Sequence, residues 1–177
     1  MNIFYLDSDT TECAKLHADS HCVKMILEYA QLLSTAHRLL DGRLLIGQTE
    51  KGRKMEIWML PDARQAVLYK VSHVNHPSAV WTRKSDANYK WLYSMLVSLT
   101  KEYTYRYGKV HATERLLPLL SKVPTNIAVS TFTEPTPAMP EEYKVLGDAV
   151  QSYKNYYVKA KQHLHKWKKR VVPIWVK

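Results

Sequence analysis

The sequence is poor in cysteine and has no long apolar run. It contains only Cys13 and Cys22, which form no CxxC pair. Two cysteines are too few for a disulfide scaffold, so we expect a reduced, cytoplasmic setting. The first residues, "MNIFYLDSDTTECAK", lack the basic segment and apolar core of a signal peptide. Because no run of 18 apolar residues is present, we expect no membrane partner.

Acidic residues and phenylalanine are also scarce. The chain has 16 Asp and Glu against 26 Lys and Arg, which gives a formal charge of +10. It has 2 Phe against 12 Tyr and 5 Trp. Excess cations neutralise phosphates, and tyrosine and tryptophan stack on bases, so the composition favours a nucleic-acid partner. The alternative is a basic protein whose charge only keeps it soluble.

The sequence lacks a recognisable metal-binding pattern. His17 and His21 are four residues apart, as in helical metal sites, but the HExxH order is absent. Cys13 and Cys22 do not complete a zinc spacing either. We therefore expect no metal site.

The apolar periodicity predicts a mainly α fold: a single compact helical domain over residues 1–177, with long loops and a basic C-terminal helix and tail. In the opening helix the predicted core stripe is Val23, Ile26, Leu27, Ala30 and Leu33. The domain divides into an N-terminal arm with a candidate catalytic helix (1–40), a segment with the central helix (75–111) and a basic aromatic C-terminal segment (140–177). Predicted helices cover 11–40, 86–107, 113–120 and 140–168; "NIFYL" (2–6) is a strand or extended arm, 41–54 a loop or hairpin, 123–140 a long ordered loop and 171–176 an extended tail.

The opening helix carries an unusual polar stripe. His21, Lys24, Glu28 and Gln31 follow one another at spacings of three and four, so they share one side of the helix. One interpretation is a solvated face with an ordinary Lys24–Glu28 pair. The other is a carboxylate at the border of the core, tuned as an acid or base beside a partly desolvated lysine or an N-terminal amine that acts as nucleophile. These are the groups that a Schiff-base enzyme needs.

Two further segments combine basic and aromatic residues. Arg106, Lys109 and His111 follow the central helix beside three tyrosines; they either complement the helix dipole or contact phosphates. After Asp148 the chain has no acidic residue but eight Lys and Arg, interleaved with Tyr153, Tyr156, Tyr157 and Trp167. A surface segment without acids favours an anionic partner, and its aromatic residues are not segregated as on a membrane-binding helix.

Several short motifs, in this order, resemble the pyrimidine-dimer DNA glycosylases of the endonuclease V type. "ADSHCVKMILE" is similar to the first helix of that family, in which the catalytic Glu follows a His by seven residues; His21 and Glu28 match these positions. "NHP" with "EYTYRYGK" resembles the central motifs of bacterial members. "AMPEEYK" and "SYKNYY" resemble segments of the phage enzymes. The whole chain is also similar to a group of small phage proteins.

The resemblance implies a helical enzyme that flips a base out of double-stranded DNA and cleaves the glycosidic bond. The family does so through a Schiff base at the N-terminal amine, then nicks the strand by β-elimination without a cofactor. It implies catalytic roles for Glu28, for His21 and for the N-terminal amine, carried by Met1 or Asn2, in a monomer in the cytoplasm of a phage-infected bacterium. Lys24, for which the family pattern does not account, is the alternative nucleophile. The expected DNA-binding residues are Gln31, Arg38, His76, Arg106, Lys109, His111, Tyr153, Lys154, Tyr156, Tyr157, Lys161, Trp167, Lys168, Lys169 and Arg170.

The sequence also departs from the family pattern. Position 2 is Asn, before which Met1 is usually kept, whereas family members expose a small residue. Leu27 and Gln31 stand where the family has arginines, and the segment before His21 is longer. Lys24 would replace either a lost cation or the nucleophile. The alternatives to a glycosylase are another enzyme acting on modified bases or nucleotides, and a non-catalytic phage protein that binds DNA or acts as an inhibitor.

Overall fold

A computed structural model describes residues 1–176 and shows a mainly helical fold with one small antiparallel hairpin. Within these residues, no helix is long and apolar enough to cross a bilayer. The helices are α1 (Thr10–Leu16), α2 (Asp19–Asp41), α3 (Arg64–Val67), α4 (Pro77–Thr82), α5 (Asp86–Tyr107), α6 (Leu117–Leu120) and α7 (Ala149–Ala160); the strands are β1 (Arg43–Gln48) and β2 (Lys54–Met59). Single 3-10 turns cover Ala112–Leu116, Glu141–Tyr143, Gln162–Leu164 and Ile174–Val176.

The long helices α2 and α5 pack together, and α1 lies against α5. The prediction of one continuous helix over 11–40 is wrong, because the chain breaks at His17 and Ala18. The break is stabilised from outside the segment. Arg106 of α5 donates to the backbone carbonyls of Lys15 and His17, which are free at the end of α1.

The predicted core stripe of α2 is only partly correct. Ile26, Ala30 and Leu33 are fully buried, whereas Val23 and Leu27 are each 39% exposed. The buried face is instead completed by Cys22, Met25, Tyr29 and Leu32. The face that packs on α5 is therefore rotated relative to the predicted one, and the polar stripe of α2 lies beside it.

Helix α5 and its caps confirm the prediction for residues 86–107. The Ser85 hydroxyl accepts from the Asn88 amide at the N-terminus. At the C-terminus Gly108 adopts a φ of 66°, the left-handed conformation that ends many helices. Local signals are sufficient to define this helix.

The segment after α2 forms a hairpin, one of the two predicted alternatives. β1 and β2 pair in antiparallel register from Arg43 opposite Met59 to Gln48 opposite Lys54. The connection between the strands includes Gly52, whose φ is 71°. Nearly all side chains of the hairpin are exposed, so it projects from the helical body.

Residues 123–140 form the predicted long loop without helix or strand. Side chains from the helices hold its backbone in place. The Asp41 carboxylate accepts from the amides of Thr125 and Asn126, and Asn88 Oδ1 accepts from the Thr133 amide. Because these contacts occur at intervals along the loop, they hold it on its path from the end of α2 to the N-terminal arm.

The predicted C-terminal helix over 140–168 is too long. Helix α7 begins after Asp148, whose carboxylate accepts from the Gln151 amide, and it ends at Ala160. The following residues turn back across the start of α2. There the Trp167 indole donates to the Leu16 carbonyl and the Lys168 amide donates to Asp19. These long-range contacts determine where the helix ends.

Candidate active site

The N-terminal arm, residues 2–6, is extended and buried, and a buried hydrogen-bond chain fixes it to α2. The Phe4 amide donates to the Tyr29 hydroxyl at 3.2 Å. His17 Nδ1 lies 2.8 Å from the Cys13 carbonyl, to which it donates, so Nε2 accepts from Tyr29 at 3.1 Å. Burial lowers the pKa of His17 to about 4, so its imidazole is neutral at pH 7. The arm therefore approaches α2 along one defined path.

Asn2 anchors the arm next to Met1. Its side-chain amide donates to the Ala138 carbonyl at 2.8 Å, and its Oδ1 accepts from the Tyr153 hydroxyl at 2.6 Å. Both polar atoms of the side-chain amide are thus bound to the loop and to α7, so Asn2 positions Met1, and its catalytic role stays a prediction. The Met1 side chain, only 2% exposed, packs on the core. The α-amine of Met1 is therefore positioned by its own buried side chain and by the anchored Asn2.

The arm places this amine beside the polar stripe of α2. The Met1 nitrogen lies 3.8 Å from Glu28 Oε2. On the other side, Lys24 Nζ lies 3.2 Å from Glu28 Oε1. The Glu28 side chain is 13% exposed and Lys24 is 68% exposed. One sheltered carboxylate therefore lies between two amines. The spacing in the sequence predicted the Lys24–Glu28 pair and named Met1 as one candidate nucleophile, and the N-terminal arm brings Met1 to this pair.

These groups line an open cleft of about 260 Å³. His21, Phe4 and Tyr156 form its aromatic side, and Lys161 and Ala138 complete the rim. The Phe4 ring stacks on the imidazole of His21 with centroids 4.1 Å apart. The cleft is large enough for a sugar ring or a small part of a nucleotide.

His21 is a neutral hydrogen-bonding group at the floor of the cleft. Its Nδ1 lies 2.5 Å from the Tyr157 hydroxyl. Burial, followed by the nearby His17 and Lys161, lowers the pKa of His21 to about 3. If Tyr157 donates to Nδ1, the imidazole carries its proton on Nε2 and is a hydrogen-bond donor rather than a charged acid.

The charge of the cleft is positive. The amine, Lys24 and Lys161 contribute three cations and Glu28 one carboxylate, which leaves a formal excess of two positive charges with the amine protonated. Lys161 Nζ also lies 4.7 Å from the centre of the Tyr156 ring. Such a cleft favours an anionic ligand with an apolar or planar portion.

His76 lies close enough to the N-terminal amine to feel its charge, although the sequence indicated only a DNA contact for this residue. It is half-buried, and its Nδ1 accepts from the Ser78 amide at the start of α4. Burial, and then the charge of the N-terminal amine, lowers its pKa. The imidazole is therefore a second neutral group near Met1.

Two arginines expected to contact DNA are structural, and the structure corrects that prediction. Arg106 has no exposed surface and donates to Glu102, to Asp19 and to the two carbonyls at the end of α1. Arg38 is 4% exposed and donates to backbone carbonyls, among them those of Tyr69 and Leu68. Because all their donors point into the protein, neither guanidinium is free to bind phosphate.

The aromatic residues of the C-terminal segment also face inward. Tyr153 and Tyr157 have no exposed surface, and Trp167 is 7% exposed. Their expected stacking on bases is wrong, because these rings fill the core beneath the arm and the start of α2. Arg170 is bound to both carboxylate oxygens of Glu102, at 2.9 and 2.8 Å. It ties the tail to α5 instead of presenting its charge to a ligand.

Other expected DNA-binding residues remain accessible, so their role stays a prediction. Lys109, Lys168 and Lys169 are exposed, while Lys154 and Lys161 lie at ring faces of Trp175 and Tyr156. Gln31 is half-buried, and His111 caps the 3-10 turn at Ala112–Leu116 by accepting from the Thr113 amide.

Sequence reasoning missed Phe4 and Ala138, which complete the cleft. Ala138 contributes through its backbone carbonyl, which no residue type encodes. Phe4 lies in a segment whose apolar character indicated burial, with no signal that one ring would face a site. Comparisons with family models, curated proteins and solved structures found no match to this chain. The functional interpretation therefore depends on the geometry of the cleft.

Proposed function

We propose that the protein is a cofactor-independent DNA glycosylase with Schiff-base lyase activity, in which the α-amine of Met1 is the nucleophile. The observation that carries this proposal is the 3.8 Å approach of that amine to Glu28 in a cleft with excess positive charge. An amine beside a carboxylate provides a nucleophile and a proton acceptor in one place. The resemblance to pyrimidine-dimer glycosylases at His21 and Glu28 supports the same reaction.

The reaction follows from these two groups. The uncharged amine attacks C1′ of the deoxyribose, and the base leaves with a proton. The sugar ring then opens by cleavage of the C1′–O4′ bond, O4′ takes up a proton, and the nitrogen lone pair forms an iminium ion that links C1′ to the Met1 nitrogen. A base then removes a proton from C2′, and the electrons expel the 3′-phosphate, which breaks the strand. Glu28 is placed to accept the proton that the amine loses. Water finally hydrolyses the iminium and restores the amine.

Met1 is favoured over Lys24 as the nucleophile for two reasons. The Met1 side chain is only 2% exposed and packs on the core, which fixes the position of its amine beside Glu28. The Lys24 side chain is 68% exposed, so the cleft encloses it much less than it encloses Met1. We assign Lys24 the role of a cation that holds Glu28 and attracts phosphate.

The partner in this proposal is double-stranded DNA. Lys161 at the rim of the cleft and the exposed Lys168 and Lys169 of the tail would neutralise backbone phosphates. No Asp or Glu follows Asp148, so these lysines have no acidic neighbour along the chain.

The test is borohydride trapping on a duplex with one abasic site, combined with strand-cleavage kinetics. We expect a covalent adduct with the native protein. Glu28→Gln should slow cleavage by about 10²- to 10⁴-fold, the range for loss of a positioned acid or base. The matched control is Glu12→Gln, which removes a carboxylate paired with Lys15 at 2.6 Å on the surface of α1 and should leave the rate unchanged.

Two results would refute the proposal. One is the absence of any adduct on abasic or base-modified duplexes. The other is full cleavage activity in Glu28→Gln. If no adduct forms and the protein still binds DNA with salt-dependent affinity, the result would instead favour a non-catalytic DNA-binding protein.

A further inference from the structure

The hairpin formed by β1 and β2 has no role in the cleft, yet it is the most exposed element of the described chain. Residues 43–56 are exposed except for the half-buried Gly47 and Thr49. The base of β2 is held by Arg38, which donates to the Trp58 carbonyl at 2.8 Å. The hairpin is therefore attached at one end, while the turn and the adjoining strand ends extend into solvent.

The charge of the hairpin is concentrated near its turn. Lys51, Arg53 and Lys54 lie at the turn with a single acid, Glu50. Within residues 1–176, none of these three cations takes part in an ion pair. The tip, defined as residues 49–54, thus presents uncompensated positive charge.

The register sorts the strand residues onto two faces. Residues opposite each other in an antiparallel pair share a face. Toward the turn, one face carries Gln48 opposite Lys54 and Ile46 opposite Glu56, and the pair of Leu44 and Trp58 continues this face at the attached end. The four side chains toward the turn are all exposed. This face, called the polar face, combines an amide, an ammonium group, a carboxylate and an aliphatic side chain at the free end of the ribbon.

The dimensions and chemistry of the hairpin match a DNA groove. The major groove of B-DNA, about 12 Å wide, admits a two-stranded ribbon, whereas the minor groove is only about 6 Å wide and must be widened to accept strands. Six residues per strand give a ribbon about 20 Å long at roughly 3.3 Å per residue. Gln, Lys and Glu are side chains that pair with adenine, guanine and cytosine edges, and Ile can contact the thymine methyl group.

We propose that this hairpin is a DNA-reading ribbon that enters the major groove, with its polar face toward the base edges and Lys51 and Arg53 on the flanking phosphates. The inference rests on the proposed function only in taking double-stranded DNA as the partner. It adds sequence readout, which the cleft does not provide. The charge of the tip favours DNA over a second copy of this basic chain, whose hairpin would carry the same charge.

The experiment measures binding of short duplexes by fluorescence anisotropy across a range of salt concentrations. We expect the double variant Lys51→Gln, Arg53→Gln to lower the salt-dependence slope by about 1.8, since each lost phosphate contact removes about 0.9. The control Lys84→Gln, Lys122→Gln removes two exposed lysines outside the hairpin and should leave the slope unchanged. An equal slope for both double variants would overturn the inference.

A second variant tests readout. Gln48→Ala, Lys54→Ala should change the sequences that the protein selects from a random duplex pool, whereas Lys51→Gln, Arg53→Gln should weaken binding to all sequences alike. Unchanged selection would overturn the readout claim. If Ile46→Asp turned a native dimer into a monomer without affecting DNA binding, the hairpin would be a self-association surface and the proposal would be wrong.

The outcomes for the hairpin and the cleft can be separated. A protein that binds DNA through the hairpin but traps no adduct retains the inference and loses the proposed glycosylase activity. A protein that traps an adduct, but whose salt-dependence slope is unaffected by changes in the hairpin, retains the proposed glycosylase activity and loses the inference.

Discussion

Replacing Arg106 by glutamine should destabilise the fold and should not act primarily on DNA binding. The guanidinium has no exposed surface. It donates to Glu102 at 2.7 Å, and at 2.9 Å each to Asp19 and to the carbonyls of Lys15 and His17. Burial opposes ionisation of Glu102, but hydrogen bonds from Arg170 and Arg106 outweigh it and hold the pKa of that carboxyl below its ordinary value.

The size of the effect follows from what the substitution leaves behind. Glu102, 4% exposed, keeps only Arg170 as a cationic partner, and two carbonyls at the end of α1 lose their donor. Breaking a buried ion pair by removing one partner costs about 3–5 kcal/mol. For a chain of this size, 1 kcal/mol corresponds to roughly 2–4 °C in Tm. We therefore expect Arg106→Gln to lower Tm by about 6–20 °C.

Urea unfolding and thermal melting, followed by circular dichroism, measure this loss. Lys109→Gln is the matched control, because Lys109 is exposed just beyond the end of α5; its stability should stay within about 0.5 kcal/mol of the native value. A stable Arg106→Gln protein with selectively weakened DNA binding would refute the structural assignment. It would restore Arg106 as a phosphate contact.

Two further predictions concern pH and the anchor of the arm. Burial lowers the pKa of His17 and His37 to about 4 each, so the folded state binds fewer protons than the unfolded state between about pH 6.5 and 4. The free energy of unfolding should be highest above the pKa of histidine in the unfolded state and should fall as the pH decreases through this window. At about 1.4 kcal/mol per pKa unit, His17 alone contributes on the order of 3 kcal/mol. Urea midpoints that stay constant from pH 7 to 4.5 would contradict the claim. Tyr153→Phe removes the hydroxyl that donates to Asn2, so it should cost about 0.5–1.5 kcal/mol and slow borohydride trapping, whereas Tyr105→Phe, at a half-exposed ring, should leave the trapping rate intact.

Elements with local signals could be predicted from the sequence. Helix α5 begins after Ser85 and ends before Gly108 because a capping side chain and a left-handed glycine are properties of those residues themselves. The break between α1 and α2 could not be predicted in this way. It depends on Arg106, which is distant in the sequence and supplies the hydrogen bonds that the break requires.

The same distinction applies to the candidate site. The spacing of His21, Lys24 and Glu28 places them on one helix face, and the structure brings all three to the cleft. The approach of Met1 to Glu28 depends on the Asn2 anchor at Ala138 and Tyr153, which is a tertiary contact. Composition could not distinguish a buried arginine from an exposed one, so Arg38 and Arg106 were wrongly expected at the DNA surface.

The most direct test of the central claim is to locate the borohydride-trapped adduct by peptide mass spectrometry. Intact mass is measured first, to show that the protein carries Met1 with a free amine. The account predicts that the reduced sugar is attached to the Met1 nitrogen, and that Lys24→Gln still forms the adduct. An adduct on Lys24, or none on a protein with free Met1, would contradict the account.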